Sequence, residues 1–161
     1  MKTDVYLSFY DDRNACPKIH KIIQLLTWSN ISHVALIFNF KTVAITPMVL
    51  VKYNTTKIYT EKFLNSHSKL KYKFYMGSVD ITMDNVLNLC LTHKVSSVSK
   101  EIFMFTIGWL FGLKASNCCT LAVDFLNNKM NYNFKNRNNP NKLMKEVYYD
   151  CYNDCGTSKG R

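Results

Sequence analysis

The chain has 161 residues, of which 47% are hydrophobic and 20% charged, and its formal charge is +10. This length suits one domain with a sizeable core, and the composition is too apolar for a disordered chain. Almost all of the positive charge is lysine, with only three arginines, which favours diffuse attraction to polyanions over base-specific readout. The longest apolar run, residues 102–113, is too short to span a bilayer, and the N-terminus does not have the pattern of a signal peptide. We therefore expect a single domain over residues 1–161 without a membrane span.

The first half of the sequence predicts strands around one helix. Residues 3–11 alternate and read as a strand, and a helix is expected to begin at Pro17. Residues 32–40 are apolar on both faces, which is typical of a central strand. Residues 42–53 then form a partner strand, in which Pro47 marks a bulge or bend.

The second half alternates helical and extended segments. Residues 60–67 predict a short helix and residues 69–78 a half-exposed strand, in which lysines alternate with apolar residues. Thr82 is the expected cap of a helix that ends at residue 93, while residues 99–113 fit either a helix or a buried strand. The predicted class is α+β, an antiparallel sheet flanked by helices. Its core covers roughly residues 3–128, followed by a polar, Asn- and Lys-rich extension over 129–161.

Two adjacent cysteines, Cys118 and Cys119, stand at the start of an amphipathic helix. Ser116 or Asn117 is a good N-cap, so the cysteines fall in the first turn, where unpaired N–H groups and the helix dipole stabilise a thiolate. Cysteines are also common buried, inert residues, so the helix alone does not identify a nucleophile.

The candidate base is His33, which begins an otherwise apolar strand directly after Ser32. His20 falls on the polar side of the first helix, while His67 and His93 lie near element ends among polar residues and are expected to be solvated. A histidine at a strand start and a cysteine at a helix start are the pair that a thiol hydrolase requires. Taken alone, His33 is better explained as a hydrogen-bonded core residue.

The segments "SHVALIF" and "NCCTLAVDFL" together resemble the circularly permuted branch of the NlpC-type, papain-like cysteine hydrolases. In that branch the His strand precedes the Cys helix. The opening residues 6–38 are also similar to the start of phage- or virus-encoded members. The resemblance implies a permuted papain-like fold, an enzyme of the cysteine peptidase or amidase type, and a peptide, amide or cell-wall peptide substrate. A viral protein of this kind would be cytoplasmic in the host cell or associated with the virion.

The resemblance also assigns roles to individual residues. The family's nucleophile falls on Cys118, because Leu121 and Leu126 then match its apolar helix positions, and Cys119 becomes a neighbour. The family's base falls on His33. The residue that orients the imidazole falls on Thr46, whose hydroxyl is a weaker orienter than a carboxylate or amide. No cofactor and no metal are expected.

Two other interpretations stay open from the sequence. A zinc site is disfavoured, because "CYNDC" at 151–155 has no second cysteine pair with zinc-like spacing. A basic, non-catalytic protein that binds nucleic acid or a host protein would explain the charge and the many aromatic residues. Six lysines between residues 52 and 73 face one acid, Glu61, and form either that binding surface or an ordinary solvated face. An inactive hydrolase fold with a binding role combines the two.

Overall fold

The computed structural model describes residues 2–11, 21, 24–25, 29–40, 47–52, 55–93 and 117–157. Its helices and strands pack into an α+β arrangement, which confirms the predicted class. The strands are β1 Lys2–Asp11, β2 His33–Asn39, β3 Pro47–Lys52, β4 Thr55–Thr60 and β5 Lys69–Asp80. The principal helices are α1 Glu61–His67, α2 Met83–Thr92, α3 Cys118–Met130 and α4 Pro140–Thr157.

Within the described ranges, five strands form one antiparallel sheet in the order β4-β3-β2-β1-β5. β1 and β2 are central, and their register pairs Tyr10 with His33 and Asp4 with Asn39. β2 carries apolar residues on both faces, and core clusters cover the sheet on each side of it, as the sequence of residues 32–40 predicts.

The larger part of the core lies between one sheet face and helix α3. Alternate residues of the two central strands point to this face because side chains in a strand alternate with period two. They are Val5, Leu7 and Phe9 of β1 and Val34, Leu36 and Phe38 of β2. The opposite face carries Tyr10, Ala35 and Ile37, which pack with Leu64 of α1. The helix that holds the two cysteines is therefore fastened to the middle of the sheet.

Threonine caps begin two of the helices, and the sequence indicates the one at Thr82. The Thr82 hydroxyl accepts from the N–H of Asn85, and the Asn85 side chain accepts in return from the Thr82 N–H, which forms a capping box at α2. Thr60 caps α1 by accepting from the N–H of Phe63. Residues 94–116 lie outside the described ranges, and with them the segment 99–113 that the sequence leaves ambiguous.

The C-terminal segment belongs to the core, so the predicted core boundary at residue 128 is wrong. Leu143 and Val147 of α4 are completely buried in the same cluster as β1, β2 and α3. The Asn-rich stretch before α4 holds its cap, since Asn139 Oδ1 accepts from the N–H groups of Asn141 and Lys142. Among the described residues, no helix is long and apolar enough to cross a membrane.

Candidate active site

The N-terminus of α3 is built by Asn117. Its side-chain oxygen accepts from the N–H of Thr120, its carbonyl accepts from the N–H of Leu121, and its own N–H donates to the Thr120 hydroxyl. This capping box starts the helix at Cys118, so both cysteines occupy the first turn. Of the two caps that the sequence offers, the described structure has Asn117 in that role. Ser116 lies outside the described residues.

The apolar face of α3 holds the helix against β2 and orients its N-terminus. Leu121, Ala122 and Leu126 are buried in the core, and the rings of Phe125 and Phe38 meet edge to face at 5.1 Å. This docking places α3 along β2, the strand that His33 begins.

The Cys118 thiol lies beside the His33 imidazole and is hydrogen-bonded to it. A hydrogen bond from the Cys119 thiol, together with the charge and hydrogen bond of His33, holds the pKa of Cys118 well below its usual range. The main-chain N–H of Val34 adds a further donor, while burial acts in the opposite direction. The fold thus brings together the two residues that the sequence proposes as nucleophile and base.

His33 is held firmly at this position. His33 is only 6% exposed, and it is the first residue of β2, where it pairs with Tyr10 of β1. The preceding residue is fixed as well, because the Ser32 N–H donates to the carbonyl of Tyr10 at 2.9 Å. A base on the end of a central strand has little freedom to move away from Cys118.

The two adjacent cysteines have different surroundings. Cys118 is partly exposed, whereas Cys119 is completely buried in the core. Cys90 on α2 has no comparable stabilising neighbours, and burial raises the pKa of its thiol to about 11. Partial exposure separates Cys118 from Cys119, and its lowered pKa separates it from Cys90.

A second histidine adjoins the site, and its prediction as a solvated residue is wrong. His93 follows the last turn of α2, where its N–H donates to the carbonyl of Leu89 at 3.1 Å. It is half-buried, and its ring is hydrogen-bonded to the main chain of Asn117, near Cys118 and Asp124. Burial lowers its pKa, while Asp124, Cys118 and the bond to Asn117 oppose that change. No local sequence pattern indicates this contact, which depends on how α2 and α3 approach each other.

The residue expected to orient His33, Thr46, lies outside the described residues, as does His20. The other predicted solvated histidine, His67, is on α1 and stacks on Phe63 at 4.3 Å between ring centroids. It bonds the carbonyl of Phe63 within its own helix. Neither its contacts nor its position connects it with Cys118.

Neither metal binding nor similarity to known proteins assigns a further role to the residues of this site. In the portion of the chain that the structure describes, no three His, Cys, Asp or Glu side chains come together as a metal site. Comparison with protein-family models, with curated proteins and with solved structures gives no match for this chain.

Proposed function

We propose that this protein is a thiol hydrolase that cleaves a peptide or amide bond, with Cys118 as nucleophile and His33 as general acid and base. The observation that carries the proposal is the hydrogen bond between these two side chains at the start of α3. A depressed thiol pKa beside an imidazole is the arrangement that activates cysteine for acyl transfer. The order of a His strand before a Cys helix also supports a circularly permuted papain-like fold.

The reaction follows from the positions of these groups. The Cys118 thiolate attacks the carbonyl carbon, and the oxyanion forms where the N–H of Cys118, a helix-start donor without a partner inside the helix, can bind it. The His33 imidazolium then gives its proton to the leaving amine, and a thioester remains on Cys118. Water, deprotonated by His33, attacks the thioester and releases the carboxylic acid and the thiol.

Cleavage of a mixed peptide library tests this function. Mass spectrometry of the digest is expected to show new termini with the unaltered protein and none with Cys118→Ala or His33→Ala. A Cys118→Ser variant is expected to be severely impaired too, because a serine hydroxyl is not ionised in this setting. Equal cleavage by all of these proteins would exclude Cys118 and His33 as the catalytic pair.

A second candidate function rests on the lysines of β5. Lys69 and Lys73 alternate with the exposed rings of Tyr72 and Tyr75, a combination that suits single-stranded nucleic acid. Lys73 is already paired with Glu61 at 2.6 Å, which weakens the available charge. A non-catalytic binding protein would retain DNA or RNA in a salt-sensitive manner, and Cys118→Ala would not alter that retention.

A further inference from the structure

A groove separates helices α2 and α3 beside the candidate active site. We call it the α2–α3 groove, and it encloses a cavity of about 280 Å³. This volume is near the lower end for ligand pockets and suits one side chain with its flanking main chain better than a large ligand. The residues used below line it: Ile81, Asn88, Leu89, Thr92, Phe125 and Lys129.

One end of the groove lies at Thr92, one residue before His93, on the side of the candidate nucleophile. Thr92 lines the groove, and the next residue, His93, is hydrogen-bonded to the main chain of Asn117 beside Cys118. The other end lies at Lys129, in the last turn of α3. A ligand that reacts at Cys118 and passes His93 into the groove would extend toward the C-terminus of α3.

The lining combines an apolar floor with a polar rim. Phe125 and Ile81 are buried and, with Leu89, form the floor. The rim carries an amide at Asn88, a hydroxyl at Thr92 and an ammonium group at Lys129. These exposed groups can exchange hydrogen bonds with a peptide main chain, which a lipid chain does not offer.

Helix geometry gives the position of the apolar floor. Phe125 follows Cys118 by seven residues, which corresponds to about 10 Å along the helix axis. An extended peptide advances roughly 3.3 Å per residue, so its third residue from the reacting carbon reaches the floor.

We propose that the α2–α3 groove is a substrate subsite that binds an extended peptide and takes an apolar side chain of its third residue onto Leu89 and Phe125. This assignment rests on the proposed function, because it uses Cys118 as the reacting group. It specifies that the substrate is a peptide and not a lipid-like acyl chain. It also identifies the third residue of that peptide as the one that determines specificity.

Thiol-reactive peptides test the subsite without knowledge of the natural substrate. The first series consists of chloroacetyl tetrapeptides that contain three glycines and one leucine. The second series consists of glycine tetrapeptides with one leucine that end in a chloromethyl ketone. In each series the leucine is the third or the first residue from the reactive group. The two series present the chain in opposite directions. N-octyl chloroacetamide supplies an apolar chain without peptide groups, and iodoacetamide reports the intrinsic reactivity of Cys118.

Two tryptophan substitutions on α2 provide the variant and its control. Asn88→Trp fills the rim of the groove from an exposed position, and Leu91→Trp adds the same ring outside the groove, at a residue that is 84% exposed. Circular dichroism checks that both fold. In one of the two series, the third-position leucine is expected to speed alkylation of Cys118 by about tenfold over the first-position isomer. Asn88→Trp should remove this advantage, Leu91→Trp should keep it, and iodoacetamide should react equally with all three proteins.

Different outcomes separate the subsite from the proposed function. If iodoacetamide labels Cys118 selectively but both series react at equal rates for the two isomers, the subsite is wrong and the nucleophile stands. The subsite is equally wrong if Asn88→Trp leaves the advantage intact, or if the octyl probe matches the best peptide. Failure of iodoacetamide to favour Cys118 overturns the proposed function, and the subsite with it.

Discussion

The sulfur of Cys118, on the first residue of α3, is hydrogen-bonded to the imidazole of His33, on the first residue of β2. These residues are 85 positions apart in the sequence. The contact arises because the Phe38–Phe125 pair and the rest of the α3 face dock the helix along β2. The reactivity of the thiol therefore depends on the packing of the whole helix as well as on its immediate neighbours.

Removal of the helix cap is expected to reduce both stability and thiol reactivity. Asn117→Ala deletes the acceptor for the Thr120 N–H and should cost about 1 kcal/mol of unfolding free energy. Thr82→Ala is the matched control, because it removes the equivalent cap of α2 at a similar cost. Urea unfolding measures the stability, and iodoacetamide labelling at about pH 6 measures the thiolate. Equal labelling of Cys118 in the two variants would show that the α3 cap plays no part in its reactivity.

His93 is expected to make the protein less stable as the pH falls. Burial lowers its pKa in the folded state, so between that value and the unfolded value of about 6.5 the unfolded chain binds more protons. Stability therefore rises with pH through this window and is lost as the pH drops. His93→Gln removes the titration and should flatten this part of the curve relative to the unaltered protein.

Urea unfolding at several pH values between about 5 and 8 measures that effect. His67→Gln serves as the control, since His67 is exposed on α1 and bonds only within its own helix region. A steeper dependence in His93→Gln than in the unaltered protein would contradict the assignment of a lowered pKa.

The C-terminal helix is expected to be required for stability. Leu143 is completely buried against the sheet, so Leu143→Ala should lower the unfolding free energy by about 2–5 kcal/mol. Lys145→Ala, at an exposed position on the same helix, should change it by less than about 0.5 kcal/mol. Similar midpoints for the two variants in urea would indicate that α4 does not pack as described.

Much of the candidate site was predictable because its signals are local. A cap residue before an apolar helix indicates where α3 begins, and a histidine at the start of an apolar strand indicates where His33 lies. These patterns place each residue on an element end but do not show that the two ends meet. That step depended on the family resemblance, and the contact itself depends on the docking of α3 on β2.

The parts that sequence reasoning missed lack such local signals. β4, Thr55–Thr60, is a short and largely polar edge strand, so hydrophobic alternation does not reveal it. The start of α4 is hidden in an Asn-rich stretch that resembles a loop, although Asn139 acts there as its cap. The position of His93 near Cys118 is tertiary, and no spacing along the chain encodes it.

The activation of Cys118 by His33 is tested most directly by the pH dependence of iodoacetamide alkylation at Cys118, followed by peptide mass mapping, in the unaltered protein and in His33→Gln. We expect selective labelling of Cys118 at about pH 6, with Cys90 unreacted, and a large loss of that labelling in His33→Gln. His67→Gln should behave like the unaltered protein. Labelling of Cys118 that rises only near the ordinary thiol pKa of about 8.5, or that His33→Gln leaves unchanged, would contradict this activation.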